Sequence, residues 1–565
     1  MNKRDMLKDF WLKSQDGSQQ RPILLFVSAI VTIGLFKLLL ISKDEIVAIP
    51  YDSLSYAFLA SRFYFLSDTD RWIPPLFPLI ASIFYALGIP YRIGIELIYL
   101  SACSFMGLAF LRLSHSLTLG IFCLALSALH PYTFNNFRYF MTEPLYCSFL
   151  LLFFGIALLL FKRANREHYP LLILLGFTGG CLSLIRLETP VILAFLVLFA
   201  LARVIAIPTI DQSRITILRC LLAILIPLVS FQSVITLAST ANFLRWGVFA
   251  ISSQSDGLKK LLTTLYSIKV EDSVQYAPVT RKSLQIAFEL SPSFKRLEGR
   301  LMDPENFFYQ IGEALIQRKG EFASSLNWAI VFASSEETRS VREANELLLR
   351  ANAEIVRGLK ERNIATHSVI TYPIDPNYSN WLPSVFREVW SKVLLWSIDA
   401  PVYAERPQDM VGLTPEEIRL FDRAANRRRS IVASEDGFGE RGREGKRAGV
   451  LLLISRNYYY LLVGSLVVYL VAIVLTRKPR SASKQIKEVA FGLSFVLVCL
   501  FIRILLYAVI DASAYRGQAR YVALQAPSFA WTIVFASYLI KGLLAAHVDY
   551  SRKSAVGPRG APQDP

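Results

Sequence analysis

Long apolar runs separated by short polar stretches dominate the chain. Such runs recur at roughly 22–42, 93–113, 116–133, 143–161, 169–186, 188–206, 214–238, 456–475, 488–510 and 522–543. Each is close to the roughly 20 residues a helix needs to cross the hydrocarbon of a bilayer. One further apolar stretch, 75–89, runs from Pro75-Leu76-Phe77-Pro78 to Leu87-Gly88-Ile89. It is too short for a comfortable span and reads as a re-entrant or interfacial helix. A single long interval departs from the pattern. Residues 241–450 mix charges, aromatics and helical runs such as Glu336 to Lys360, and read as a soluble domain, mostly helical or α/β. Its end, Arg427 to Arg447, is charged and Gly-containing and reads as a tether. The expected fold is therefore a polytopic α-helical membrane protein with about ten transmembrane helices. It divides into a membrane module over 1–240, a soluble domain over 241–450, and a second membrane module with a short tail over 451–565.

Composition agrees, since 53% of the 565 residues are hydrophobic. The net charge of +17 suggests a nucleic-acid partner until it is mapped. The interval 241–450 holds 29 Lys+Arg against 27 Asp+Glu, so it is nearly neutral. The excess flanks apolar runs, at Lys162, Arg163 and Arg166, at Arg203, Arg214 and Arg219, and from Arg477 to Lys487. Basic loops of this kind set topology and imply no nucleic acid.

With the basic N-terminus (Lys3, Arg4, Lys8, Lys13) in the cytoplasm, and 75–89 not crossing, every basic segment falls inside. If 75–89 crossed, every one would fall outside. The expected placement is thus a multi-pass protein of the plasma (inner) membrane with both termini cytoplasmic. The first loop 43–92, the turns near 130–143 and 186–188, the loop 511–520 and the large domain are extracytoplasmic. All six cysteines lie in or beside apolar runs, which argues against a disulfide framework or a Cys/His metal site. The first run lacks a small-residue cleavage site and reads as a retained span.

Ionisable groups near membrane depth are costly and are candidates for function. Five segments collect them on the outer face. Asp52, in Tyr51-Asp52-Ser53-Leu54-Ser55-Tyr56, either caps a helix or acts as a base at a membrane surface, and the two roles are compatible. Arg71 precedes Pro74, Pro75 and Pro78, which forbid regular helix and make an extended lead-in to the short helix. His130-Pro131, Arg138 and Thr142-Glu143-Pro144 follow. There Glu143 opens a span, where the helix dipole favours a carboxylate in any case. Arg186-Leu187-Glu188 joins two spans and reads chiefly as an internal ion pair. Arg516, Arg520 and Tyr521 stand before the last run, where they either anchor the helix end or meet an anion such as a lipid phosphate.

This ordering resembles the membrane-embedded glycosyltransferases of the GT-C superfamily, of the protein O-mannosyltransferase and lipid A aminoarabinose transferase types. The matching residues are Tyr51-Asp52-Ser53 with Tyr56, Pro74 to Pro78, His130 to Pro144, and Arg186-Leu187-Glu188, with Arg516 to Tyr521 in the last loop. They cover about 22–210 and leave 241–450 unmatched. Ser53 stands where an acidic pair is usual in the family, which leaves a divalent metal an open possibility and no cofactor assigned. The resemblance implies an inverting transfer from a polyprenyl-phosphate-linked sugar donor to a glycan, lipid or protein acceptor. Asp52 would be the catalytic base and Glu143 a second catalytic carboxylate that orients the acceptor. Arg520, Arg516, Arg71 and Arg138 would hold the donor phosphate. Tyr56, His130, Arg186, Glu188 and Tyr521 would support or orient the substrate.

Two alternatives belong to other classes. A transporter or flippase of cell-envelope glycolipids requires polar groups at mid-bilayer on broken helices, and Arg503 is the main such group in the sequence. A non-enzymatic scaffold would make the outer carboxylates dispensable.

Overall fold

The structure is a computed structural model. It describes residues 17–41, 52–62, 73–162, 168–206, 214–252, 256–270, 279–369 with short breaks, 381–389, 415–426 and 484–513, plus a few isolated positions. Among the described residues, ten helices come first: α1 (Gly17–Leu40), α2 (Asp52–Ser61), α3 (Leu76–Ala86), α4 (Tyr91–Ser114), α5 (Leu117–Ala128), α6 (Pro131–Asn136), α7 (Glu143–Lys162), α8 (Tyr169–Ile185), α9 (Thr189–Ala206) and α10 (Arg214–Trp246).

Local chemistry explains most of these ends. Pro75 precedes α3, and the chain leaves it through Gly88, whose φ of 66° suits glycine. Ser116 caps α5 by accepting from the Leu119 amide. The apolar run expected as one span over 116–133 is two helices. α5 stops after 12 residues, about 18 Å, and α6 restarts at Pro131. Proline disfavours helix at the residue before it, and His130 is correspondingly extended.

Among the described residues, four helices are long and apolar enough to cross a membrane: Pro22–Leu40, Tyr91–Ser114, Glu143–Phe161 and Leu221–Trp246. Shorter apolar helices include Tyr169–Ile185, Thr189–Arg203 and Ser494–Ile510. The last lies in α19 (Lys484–Ser513). The runs expected at 456–475 and 522–543 lie outside the described residues. The protein is thus a mostly helical membrane protein.

α4 lies against both α5 and α7 at the centre of the bundle. The α8–α10 contact depends on small residues, among them Gly180, where an added Cβ would stand 2.6 Å from Val234 Cβ, and Gly176. A Cβ on Gly176 would stand 2.1 Å from the Pro227 carbonyl oxygen, so any larger residue would push the helices apart. The Ser230 hydroxyl crosses the same contact to donate to the Ile173 carbonyl at 2.8 Å.

After α10 the chain builds a separate helical unit: α11 (Asp256–Ser267), α12 (Arg281–Leu290), α13 (Pro292–Lys295), α14 (Glu298–Leu301), α15 (Phe307–Ile316), α16 (Leu326–Glu337) and α17 (Val341–Glu361). Its own core includes Leu261, Leu284, Phe294, Ile330 and Ile355. Its elements named above are helices, and an antiparallel bridge joins Ile268 to Thr366. Two later segments of the interval 241–450 pack elsewhere. Trp381 and Val385 lie against Ala508 and Ala512 of α19. α18 (Pro415–Ala424) returns to the membrane module and packs on α2 and α3.

Candidate functional site

α2 begins at Asp52, and Tyr56 follows one turn later. Tyr56 is buried with its ring edge-on to Phe77 at 4.8 Å, and Phe77 meets Phe140 edge-on at 5.6 Å. Phe140 stands three residues before Glu143. The Tyr91 hydroxyl donates to the carbonyls of Tyr139 at 3.0 Å and Met141 at 3.3 Å, which holds the turn ahead of Glu143. One aromatic cluster therefore joins the helix that starts at Asp52 to the segment that delivers Glu143.

Glu143 is buried at the start of α7. Its Oε1 accepts from Arg186 Nη1 at 3.2 Å, and its Oε2 accepts from the Thr142 hydroxyl at 3.3 Å. The same Nη1 donates to Thr142 Oγ1 at 3.1 Å, while Arg186 Nε donates to Glu188 Oε1 at 3.1 Å. Arg186 therefore bridges the two carboxylates.

Glu188 is more fully engaged. Arg503 grips it from α19 in bidentate fashion, Nε to Oε2 and Nη2 to Oε1, both at 2.8 Å. The Tyr146 hydroxyl donates to Oε2 at 2.8 Å and the Tyr507 hydroxyl to Oε1 at 2.5 Å. Burial pushes this carboxyl up, but Arg503, Arg186 and Tyr507 together outweigh burial and hold it down at about 2. Glu188 is thus an ionised strut, and its bonds leave little capacity for a substrate. Glu143 accepts one hydrogen bond on each oxygen and keeps lone pairs available.

A second charged cluster went unnoticed in the sequence. Lys37 of α1 lies with Nζ 2.9 Å from Glu96 Oε2 and donates to the Thr133 hydroxyl at 2.9 Å. Arg92 Nη2 lies 2.8 Å from Glu96 Oε1, and all three charged side chains are buried. A lysine inside an apolar run and an Arg-Glu pair at i, i+4 were the available signals. Beside it, His130 Nδ1 accepts from the Tyr132 amide at 3.2 Å and caps α6. That bond requires a neutral Nδ1. Burial, with the charge of Lys37 added, pushes the imidazole down to about 3.

Arg138 is half-buried, with its guanidinium 5.6 Å from the Tyr139 ring centroid. It stands in the turn between α6 and Glu143. The other expected site groups, Arg71, Arg516, Arg520, Tyr521 and the side chain of Asp52, lie outside the described residues. Among the described residues, no group of three or more His, Cys, Asp or Glu is arranged to hold a metal ion.

No protein-family model matches the sequence, and no curated protein matches it. Two solved structures align along most of the chain. ArnT from Cupriavidus metallidurans in the apo state shows 12% identity and a TM-score of 0.29, over 97% of this chain and 82% of that one. The same protein bound to undecaprenyl phosphate shows 12% identity and a TM-score of 0.27, over 96% and 81%. At such TM-scores the overlap assigns neither substrate nor residue roles.

Proposed function

We propose that this protein is a membrane glycosyltransferase of the GT-C type. It takes a sugar from a polyprenyl phosphate and passes it, with inversion, to an acceptor hydroxyl on the extracytoplasmic face of the plasma membrane. In this reading both termini are cytoplasmic and the outer helical unit is extracytoplasmic. The observation that carries the reading is the shared aromatic cluster, through which the helix beginning at Asp52 and the segment delivering Glu143 pack together. Asp52 takes the proton of the attacking hydroxyl, and Glu143, held by Arg186 and Thr142, orients the acceptor. Arg520 and Arg516, with Arg71 and Arg138, hold the phosphate as it leaves. A donor whose lipid stays in the bilayer needs no nucleotide site.

The test is turnover of full-length protein in nanodiscs, supplied with polyprenyl-phosphate mannose or polyprenyl-phosphate 4-amino-4-deoxyarabinose and a cell-envelope extract as acceptor. Release of polyprenyl phosphate is the readout. Asp52→Asn keeps side-chain volume and capping ability, so a cap role alone leaves the rate near wild type. Loss of the base lowers it by roughly 10²–10⁴-fold. Wild-type turnover in Asp52→Asn removes this residue from the mechanism.

The two buried ion clusters favour a second reading, a transporter or flippase of cell-envelope glycolipids. Against it, α1, α4 and α19 run unbroken through Lys37, Glu96 and Arg503, whereas transport sites of this kind use discontinuous helices. Movement of a labelled polyprenyl-phosphate sugar across proteoliposomes, with its sugar bond intact, would select that reading.

A further inference from the structure

The segment 415–426 lies far along the chain from both carboxylates, beyond the outer helical unit, yet it is built into the first outer loop. Phe421 is fully buried, with its ring edge-on to Phe140 at 5.5 Å. It thereby extends the aromatic cluster of Tyr56, Phe77 and Phe140. Asn426 closes the other end of the contact. Its backbone lies in the left-handed region at φ 49°, which asparagine tolerates better than most residues. Its Nδ2 donates to the carbonyls of Phe84 at 2.9 Å and Ile89 at 3.0 Å, 342 and 337 residues away. The Tyr91 amide returns a bond to the Ala425 carbonyl at 3.0 Å. The Phe84 carbonyl, near the end of α3, also accepts from the Ile89 amide at 2.9 Å, so Asn426 adds a second bond there and supplies a donor to the Ile89 carbonyl in the turn between α3 and α4.

We propose that residues 415–426 form a clamp that sets the separation between the Asp52 helix and the Glu143 segment, with Phe421 and Asn426 as its positioning residues. The proposal rests on the glycosyltransferase reading above. The physical argument is one of shared packing. Tyr56 and Phe140 are carried by segments with no chain connection shorter than 80 residues, and Phe77 touches both rings. Removing Phe421 leaves a void that Phe140 can relax into without Tyr56 following it. A shift of about 1 Å between reacting groups lowers a rate by roughly 10²-fold. Substrate affinity, set largely by contacts with the lipid and phosphate, changes far less.

The test combines a distance with kinetics in the full chain, in nanodiscs and a cysteine-free background. Spin labels at Arg62→Cys and Asn136→Cys report the separation of the two segments by electron-electron resonance. Phe421→Ala and the milder Asn426→Gly, which keeps the left-handed backbone but loses the amide donors, should shift or broaden that distance. Phe421→Leu, which refills most of the volume, should restore it. In unlabelled protein, kcat for polyprenyl-phosphate sugar should fall by roughly 10²-fold in Phe421→Ala with KM nearly unchanged, and should recover in Phe421→Leu. An unchanged distance in both Phe421→Ala and Asn426→Gly overturns the clamp, whatever the activity. A shifted distance with wild-type kcat, while Asp52→Asn is inactive, overturns positioning but leaves the proposed function standing. A shifted distance with Asp52→Asn fully active removes Asp52 from the mechanism, and with it the positioning role of the clamp.

Discussion

Two buried ion clusters in the membrane module are built from the same residue types and end in different states. Around Glu188 the charges cancel: Arg186 and Arg503 face Glu143 and Glu188, and two tyrosine hydroxyls complete the bonding. Around Glu96 they do not, because Lys37 and Arg92 share one carboxylate. Two of the Arg92 nitrogens, Nε and Nη1, are buried without a hydrogen-bond partner among the described residues. Aromatic faces take up part of the excess, with Lys37 Nζ 4.3 Å from the Tyr99 ring centroid and 5.4 Å from those of Phe134 and Phe137. The contrast teaches that burial of charge does not by itself mark a stabilising element. A saturated, neutral cluster braces helices, while an unsaturated, net-positive one leaves donors without partners.

The largest expected effect comes from unbalancing the saturated cluster. Glu188→Gln leaves the fully buried Arg503 without a counter-charge and should cost on the order of 3–5 kcal/mol, read as a drop in unfolding temperature in detergent. The double variant Glu188→Gln with Arg503→Gln should recover part of that loss. If the single variant unfolds like wild type, Glu188 is not the strut its bonds imply.

Acid should act next, and on both clusters. Glu188 titrates at about 2 in the fold against an ordinary 4.5. Its contribution is complete above 4.5 and is lost as pH falls towards 2. His130 titrates at about 3 in the fold against 6.5. The unfolded chain therefore binds a proton first, and stability is lost as pH falls from 6.5 towards 3. Each complete loss should be on the order of 3–5 kcal/mol. His130→Asn, which can still cap α6, should remove the part that begins near 6.5. An unfolding temperature independent of pH between 6.5 and 4 would show that His130 is not held neutral.

The smallest effect sharpens the contrast most. Arg92→Met should lie within about 1 kcal/mol of wild type, because it removes the unpartnered donors and leaves a neutral Lys37–Glu96 pair. A loss as large as that of Glu188→Gln would mean that Arg92 is as well compensated as Arg503.

Much of the local structure could be read from the chain. The Asp52 helix, the proline-led short helix at 76–86, the starts at Glu143 and Thr189 and the break between two spans at 186–188 follow from caps, prolines and apolar run lengths. These signals act over a few residues, so a linear reading captures them. Apolarity alone makes 116–133 one span, but the local effect of Pro131 divides it into two helices. Arg186 and Glu188 stood out as a pair because they are neighbours in sequence. That Arg503, 315 residues from Glu188, would grip it could not be read, because the pairing depends on how α19 is rotated and at what depth it packs. The return of Asn426 to cap a helix 342 residues earlier was equally invisible. Apolar periodicity states that a face is buried and is silent about which face meets it. Hydrogen-bond partners over such separations are chosen only when the helices pack, since an unpaired polar group in an apolar interior costs too much to leave.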